Sequence, residues 1–243
     1  ESLYPVRKRK FSTIMSAPNL KLTYFGIAGA AEKVRIAFTV AGVEFTDERI
    51  AFDAWPAMKP TTPYGQLPLL SINGGAPITD SGAMLRYAGR LGGESLYPVA
   101  DIEKQLKVES VLGLAGDFDR AFTPCLYVAM RPTMFGYPED YAKTPEGQAT
   151  IQKLRAKFVA ETLPTLLGYY TRLLKESGGG FFCGDTVTIA DCHIFPQLAN
   201  FQKGHLDHIP TTCLDTYPEI VAWLARMRAI PSIAAYTAKH AAK

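Results

Sequence analysis

The stretch KLTYFGIAGAAEKVRIAFTVAGVEF (21–45) decides the fold class, because its periodicity changes twice. Residues 20–26 are predicted to form a buried strand. Residues 31–42 place apolar side chains at helical spacing and end on a glycine suited to a helix terminus. Residues 43–50 alternate as in a second strand. The order is β-α-β, and the phenol Tyr24 lies inside the first strand, where it either packs or points at a substrate.

A second group of strand and turn signals follows along the chain. LPLLSI (67–72) is an apolar strand, NGG (73–75) is a hairpin signal, and APIT (76–79) is its expected partner strand. Residues 81–93 favour a helix with Ser81 as its N-cap. The sequence therefore predicts a small α/β unit that ends near this helix.

Helical patterns fill the chain after the linker-like segment GGESLYPVAD (92–101). The helices are long and amphipathic, and Pro164 is expected to kink or split one of them. Thr188 and Asp191 have the spacing of a helix-capping box. The predicted divisions are a flexible N-terminal extension (1–17), an α/β domain (18–95) and an all-helical domain (101–240).

Composition and charge narrow the class of function. The chain is 47% hydrophobic and 20% charged, with a net charge of +3. Its first ten residues contain four basic side chains and one acid, so the rest is neutral overall. Nucleic acid is therefore not predicted as a partner. No apolar run approaches the roughly 18–20 residues of a membrane-spanning helix. We expect a cytoplasmic protein with no membrane partner, and organelle targeting by the basic extension is the alternative.

Cysteine and histidine spacing gives no metal signal. The four cysteines form no CxxC pair, which indicates reduced thiols. Cys213, His205 and His208 fit no familiar zinc pattern, and no metal is predicted.

Two places in the α/β unit suit the backbone and the carboxylate of a peptide ligand. Leu67 precedes Pro68 at the start of a strand, so it can pair with an extended backbone as an added strand would; a plain loop proline is the alternative. Ser81 begins a helix, whose free amides and partial positive charge favour a carboxylate. Asp80 can hold an ammonium group or simply cap the helix.

Trp55 and Lys59 lie in the loop before the third strand. An indole N–H and an ammonium group suit a second carboxylate, although packing for Trp55 and solvation for Lys59 are the simpler explanations. Together with the phenol Tyr24, these groups suit a small extended peptide with a free carboxylate at each end. Glutathione has that chemistry.

In order and spacing, these segments resemble those of a cytosolic glutathione transferase. The sigma class, which includes glutathione-dependent prostaglandin synthases, is the most similar. The resemblance covers about residues 18–240, and no single motif in it is decisive. Besides the opening stretch it rests on DAWPAMKPTTPYGQLPLL (53–70), ITDSGAMLRYAGRL (78–91), GDTVTIADCHIF (184–195) and YPEIVAWLARMRAIPSI (217–233).

The resemblance implies a glutathione transferase fold: an α/β thioredoxin-like N-terminal domain, an all-α C-terminal domain and a homodimer. Glutathione is the implied co-substrate, and Tyr24 is the implied catalytic residue. The implied glutathione contacts are Tyr24, Trp55, Lys59, Gln66, Leu67 and Pro68 (joined by a cis bond in the family), Asp80, Ser81 and Asp117 of the partner subunit. The side chains expected to hold a small apolar electrophile are Phe25, Ile27, Phe122 and Tyr127.

Three positions depart from the sigma pattern. Ala30 stands where an arginine would help the thiolate, Asp80 stands in place of glutamine, and Gln66 stands in place of lysine. Glutathione binding is still expected, but the class and the rate are less sharply defined.

The predicted reaction is a detoxifying conjugation of glutathione to apolar electrophiles, in which Tyr24 donates a hydrogen bond that stabilises the thiolate. Two alternatives stay open. A glutathione-dependent isomerase of the prostaglandin-synthase type would share the thiol site and differ in its apolar pocket. A non-catalytic, transferase-like binding protein would tend to lose the tyrosine or the glutathione contacts, whereas Tyr24, Trp55, Lys59 and Ser81 are present here.

Overall fold

The computed structural model describes residues 17–178 and 180–240. The predicted flexible extension (1–17) lies outside these ranges except for its last residue. Within the described ranges, no helix combines the length and the apolarity that a membrane crossing requires.

A three-stranded sheet forms the centre of the N-terminal part of the described chain. Its strands are β1 (Leu20–Phe25), β2 (Thr46–Ile50) and β3 (Leu69–Ile72), in the order β2-β1-β3. β1 pairs parallel with β2 and antiparallel with β3. The three predicted strands are confirmed. Because β1 is the central strand, its neighbours on both sides hold the segment that carries Tyr24.

The predicted hairpin partner at APIT (76–79) is confirmed only in part, because it pairs with β3 through a single residue. Ile78 makes only an isolated bridge with Leu70, in which each N–H donates to the other residue's carbonyl at 2.9 Å. In an antiparallel ladder the next hydrogen-bonded pair would join Asp80 to Pro68. Pro68 has no N–H to donate, and the φ of 80° at Asp80 takes the chain out of the extended conformation, so the pairing stops there.

Helix α1 (Glu32–Ala41) connects β1 to β2, and helix α3 (Ser81–Leu91) follows the bridge. α1 ends as predicted at Gly42, whose φ is +64°. The N-cap of α3 is Asp80 and not, as predicted, Ser81. The Oδ1 atom of Asp80 accepts the Ala83 N–H at 2.7 Å, while Ser81 already has helical backbone geometry as the first residue of the helix.

The rest of the described chain is helical, as the sequence predicts. Pro164 falls just inside helix α6 (Leu163–Ser177). A π-helical turn at Phe158–Thr162 interrupts the regular helix between α5 (Pro145–Lys157) and α6, but the chain stays helical, so the predicted split does not occur. The remaining helices are α2 (Trp55–Met58), α4 (Ile102–Met130), α5 (Pro145–Lys157), α6 (Leu163–Ser177), α7 (Ile189–Ala199), α8 (Pro218–Ala229) and α9 (Pro231–His240).

Helix α7 lies in the core and contacts both parts of the chain, since it packs against α1 and α4. Its predicted capping box is confirmed: the Thr188 N–H and Oγ1 each lie 2.9 Å from Oδ2 of Asp191. The Oδ1 atom of Asp191 accepts the Phe182 N–H at 3.1 Å and the Trp223 indole N–H at 3.0 Å. This network joins the start of α7 to α8 and to the turn before α7.

Candidate active site

Tyr24 lies near the carboxyl-terminal end of β1 with 9% of its surface exposed. Its hydroxyl oxygen accepts a hydrogen bond from the Ala30 N–H at 3.2 Å. Ala30 belongs to the short 3-10 turn Gly29–Ala31 that leads into α1. The phenol is therefore held against the start of a helix, while its own O–H proton remains able to donate to another group.

Gly29 makes this approach of the phenol possible. Its φ is +42°, and a Cβ atom at this position would lie 2.5 Å from the Tyr24 hydroxyl oxygen. No carbon can approach an oxygen so closely without displacing it, so only glycine fits beside Tyr24 in its present position.

The Tyr24 hydroxyl is suited to donate a hydrogen bond rather than to ionise. Burial raises its pKa, and the Ala30 N–H offsets only part of that rise. Because an ordinary phenol has a pKa of about 10, the Tyr24 side chain is protonated at neutral pH. The group can therefore stabilise an anion next to it without itself changing charge.

Arg35, which the sequence analysis missed, organises the loop between Tyr24 and α1. Its side chain is fully buried, and it donates to the carbonyls of Ile27 at 2.7 Å and Phe25 at 3.3 Å. Its Nε atom donates to Asp47 on β2 at 3.0 Å. The available signal was an arginine placed within the apolar face of α1, where an unpaired charge would be unfavourable.

A cavity of about 610 Å³ opens beside Tyr24, between the loop after β1 and helices α4 and α7. The four residues predicted to hold the co-substrate all line it: Phe25, Ile27, Phe122 and Tyr127. The structure thus brings these four side chains together with the predicted catalytic phenol.

The same cavity also has polar lining that the sequence analysis missed, from Lys33, Asp119 and His193. Burial lowers the pKa of Lys33 and of His193. Burial opposes ionisation of Asp119, but hydrogen bonds from His193 and Gln197, together with nearby positive charge from His193 and Lys33, lower the pKa of that carboxyl group.

Apart from Tyr24, the residues predicted to bind glutathione do not line this cavity. Trp55 packs edge-on against Phe25, with ring centroids 6.1 Å apart. The Leu67–Pro68 bond is cis, as the family resemblance implies. Within residues 17–178 and 180–240, no backbone group pairs with the N–H or the carbonyl of Leu67. That residue is therefore able to pair with an extended ligand.

Asp80 has an unusual backbone conformation, with φ 80° and ψ 104°. This region is rarely populated by residues other than glycine, and occupying it typically costs about 1–3 kcal/mol. The conformation places Ser81 at the first position of α3, where its N–H has no partner within the helix. Backbone strain next to the Ser81 N–H fits the carboxylate site that the sequence predicts there.

The remaining predicted contacts are exposed in this structure of a single chain. Lys59 and Gln66 both face solvent. Asp117 on α4 also faces solvent, where it pairs with Arg120. Among the residues described, no three His, Cys, Asp or Glu side chains are placed to hold a metal ion.

Comparisons with known proteins assign this arrangement to a family. The models for the N-terminal and C-terminal domains of glutathione S-transferase match residues 20–90 and 140–240. A protein of Ascaris suum described as "Glutathione S-transferase 1" is 31% identical over 222 residues, which cover 91% of this chain and 97% of that protein. The chain belongs to the glutathione S-transferase family.

Two solved structures share this fold. A structure described as "prostaglandin synthase D of Nilaparvata lugens" has a TM-score of 0.74 and 26% identity, covering 91% of this chain and 98% of that one. The monomeric glutathione S-transferase Na-GST-3 of Necator americanus has a TM-score of 0.70 and 29% identity, covering 91% and 97%. The predicted fold class is therefore confirmed. Glutathione S-transferases use glutathione as co-substrate, in agreement with the predicted ligand.

Proposed function

We propose that this glutathione transferase conjugates glutathione to electrophiles, with Tyr24 as the hydrogen-bond donor to the thiolate. The observation that carries the proposal is the position of the phenol. Tyr24 is buried in the cavity wall, and its hydroxyl oxygen accepts a hydrogen bond from the Ala30 N–H. Accepting that bond leaves the O–H proton for a ligand, and the raised pKa keeps that proton on the oxygen.

The chemistry follows from the ionisation of the thiol. A free thiol has a pKa of about 8.5, so only a few per cent is thiolate at neutral pH. A donor that stabilises the anion lowers the thiol pKa, and each unit corresponds to about 1.4 kcal/mol. The start of α1 lies next to Tyr24 and adds partial positive charge from its free amides. The thiolate then attacks an electrophilic carbon of the co-substrate in the cavity.

We also propose that glutathione occupies the loops around Trp55, Lys59, Gln66, the Leu67–Pro68 pair and the start of α3. The unpaired backbone of Leu67 suits the cysteinyl unit of the tripeptide as an added strand. The N–H and hydroxyl of Ser81 suit its γ-glutamyl carboxylate, and Asp80 suits the ammonium group.

A homodimer, in which Asp117 of the partner subunit reaches that ammonium group, belongs to the same proposal. The exposure of Asp117 leaves it accessible to a second chain. The sigma class and a role in detoxification are proposed from the sequence resemblance alone. Since the Necator americanus relative is described as monomeric, sedimentation analysis of this chain decides between the two states.

The Tyr24→Phe variant tests the mechanism. With 1-chloro-2,4-dinitrobenzene as electrophile, kcat is expected to fall by about two orders of magnitude, because the lost hydrogen bond acts on a charged sulfur. The glutathione Kd should stay within about threefold, since the remaining contacts are intact. Tyr169→Phe, at a tyrosine on α6 outside the cavity, is the matched control and should keep the parent rate. A Tyr24→Phe enzyme as active as the parent contradicts the proposal.

The likeness to the Nilaparvata lugens synthase keeps a glutathione-dependent isomerase as the second candidate. An isomerase regenerates glutathione, whereas a transferase consumes one thiol per product. Titration of free thiol during turnover of a lipid endoperoxide, which can rearrange without net loss of thiol, and of an aryl halide separates the two activities. Failure to bind immobilised glutathione would favour the non-catalytic binding protein instead.

A further inference from the structure

The cavity beside Tyr24 has a polar end that an apolar electrophile would leave unused. Three helices meet there, each with one titratable side chain: Lys33 on α1, Asp119 on α4 and His193 on α7. The Nζ atom of Lys33 lies 3.3 Å from Nε2 of His193, and the same Nε2 lies 3.0 Å from Oδ2 of Asp119. All three residues line the cavity, as Tyr24 does.

A single ring nitrogen of His193 thus faces both an ammonium group and a carboxylate. In a neutral imidazole it either accepts from Lys33 or donates to Asp119, but it cannot do both. Burial lowers the pKa of His193, which favours the neutral ring. When Nε2 donates to Asp119, which also accepts from Gln197 at 2.7 Å, the Lys33 ammonium loses that acceptor and can bind a ligand oxygen.

The charges around the cavity favour an anionic ligand. Three basic side chains line it, Lys33, Arg131 and Arg155, and the one carboxylate in its described lining is Asp119. Arg155 already donates to the carbonyls of Cys125 at 3.0 Å and Asp207 at 2.9 Å. Within the part of the chain that the structure describes, no carboxylate oxygen lies within 4.0 Å of the charged nitrogens of Lys33 or Arg131.

We infer that the co-substrate of this enzyme carries a carboxylate and that Lys33 binds it, while the apolar walls hold the rest of the molecule. The inference rests on the proposed function and specifies the electrophile of that reaction. The electrophile is an amphipathic acid rather than a wholly apolar molecule. The carboxylate takes no part in the reaction. With an aryl chloride, the glutathione thiol gives its proton to solvent, a carbon–sulfur bond forms, and chloride leaves with the electrons of the carbon–chlorine bond.

Two electrophiles that differ at one substituent, a carboxylate or its uncharged methyl ester, test the inference: 4-chloro-3,5-dinitrobenzoate and methyl 4-chloro-3,5-dinitrobenzoate. For each, kcat/KM is divided by the uncatalysed rate constant with glutathione, and the acid-to-ester ratio of these values is compared among variants. The parent enzyme is expected to give a ratio above one. Lys33→Met should lower the ratio about tenfold, the usual scale for losing a hydrogen bond to a charged group.

Three further variants separate ligand binding from a purely structural role of the cluster. Lys33→Arg keeps the charge and should retain the preference for the acid. Asp119→Asn removes the opposing negative charge and should raise the ratio about threefold, in the opposite direction to Lys33→Met. Lys157→Met, at a lysine with 68% of its side chain exposed and outside the cavity, should leave the ratio as in the parent.

The outcomes separate the inference from the proposed function. A parent ratio below one overturns the inference, whether or not any variant folds. A ratio that neither Lys33→Met nor Asp119→Asn changes would mean that the cluster only joins the three helices, which also overturns it. A parent enzyme that conjugates neither electrophile contradicts the proposed transferase function instead.

Discussion

Helix α7 carries two polar side chains, two residues apart, whose surroundings are opposite. Asp191 is fully buried, and four donors fill its two oxygens, as described above. His193 is also mostly buried, but its Nε2 atom faces two groups that compete for it. A saturated polar group of this kind maintains structure, whereas a group with competing partners retains the capacity to respond to a ligand.

The largest expected effect comes from removing the saturated group. Asp191→Ala leaves the Thr188, Phe182 and Trp223 donors buried without an acceptor, and should lower the free energy of unfolding by roughly 3–5 kcal/mol. His193→Ala, on the same helix, should lower it by about 1 kcal/mol, because that side chain borders a cavity. Urea denaturation of both variants measures the difference. Equal losses of unfolding free energy in the two variants would contradict the distinction between a saturated polar group and one with competing partners.

A smaller effect is expected at the cap of α7. Thr188→Ala removes the hydroxyl of the capping box and should cost about 1–2 kcal/mol. Thr165→Ala is the matched control, since the Thr165 hydroxyl makes one hydrogen bond, to the Glu161 carbonyl at 3.1 Å, on an exposed surface. That control should stay within about 0.5 kcal/mol of the parent. If both substitutions lower the free energy of unfolding by the same amount, burial of the capping-box network does not account for its stabilising effect.

The smallest effect is a pH dependence of stability at His193. Its pKa is lowered in the folded protein, chiefly by burial, so the unfolded chain, with a pKa near 6.5, takes up the proton first. The contribution of the neutral ring is therefore fully present above about pH 6.5 and is lost as the pH falls below it. We expect this loss of folding free energy to be less than about 1 kcal/mol at pH 5.5.

Urea midpoints at pH 8 and pH 5.5 measure this contribution, and His193→Phe should reduce the difference between them. His208→Asn, at an exposed histidine, is the control and should follow the parent at both pH values. A His193→Phe profile that also follows the parent would show that this ring does not titrate differently in the folded state.

Local patterns predicted most of the fold. Periodicity located the three strands and the long helices, and the spacing of Thr188 and Asp191 predicted the capping box. Two local predictions held less well. The expected hairpin partner after β3 pairs through one bridge only, and Asp80 rather than Ser81 caps α3.

The candidate site also contains some residues that the sequence could predict and others that only the fold brings together. Phe25 and Ile27 lie one and three residues after Tyr24 in the chain, so the sequence could place them near it. Lys33, Asp119 and His193 could not be grouped in advance, because His193 lies 160 residues from Lys33 and 74 from Asp119, and only the packing of α1, α4 and α7 brings them together. Arg35 was hidden for a similar reason, since its partners lie on the loop after β1 and on β2.

The contact between Gly29 and the Tyr24 hydroxyl has a consequence for how this loop can evolve. Every other amino acid would bring its first side-chain carbon against the phenol oxygen. Position 29 therefore tolerates no exchange that leaves Tyr24 where it is, and inherited variation must fall on neighbours such as Ala28. A lineage that loses this glycine would need a second change, one that repositions the phenol, to survive with the same chemistry.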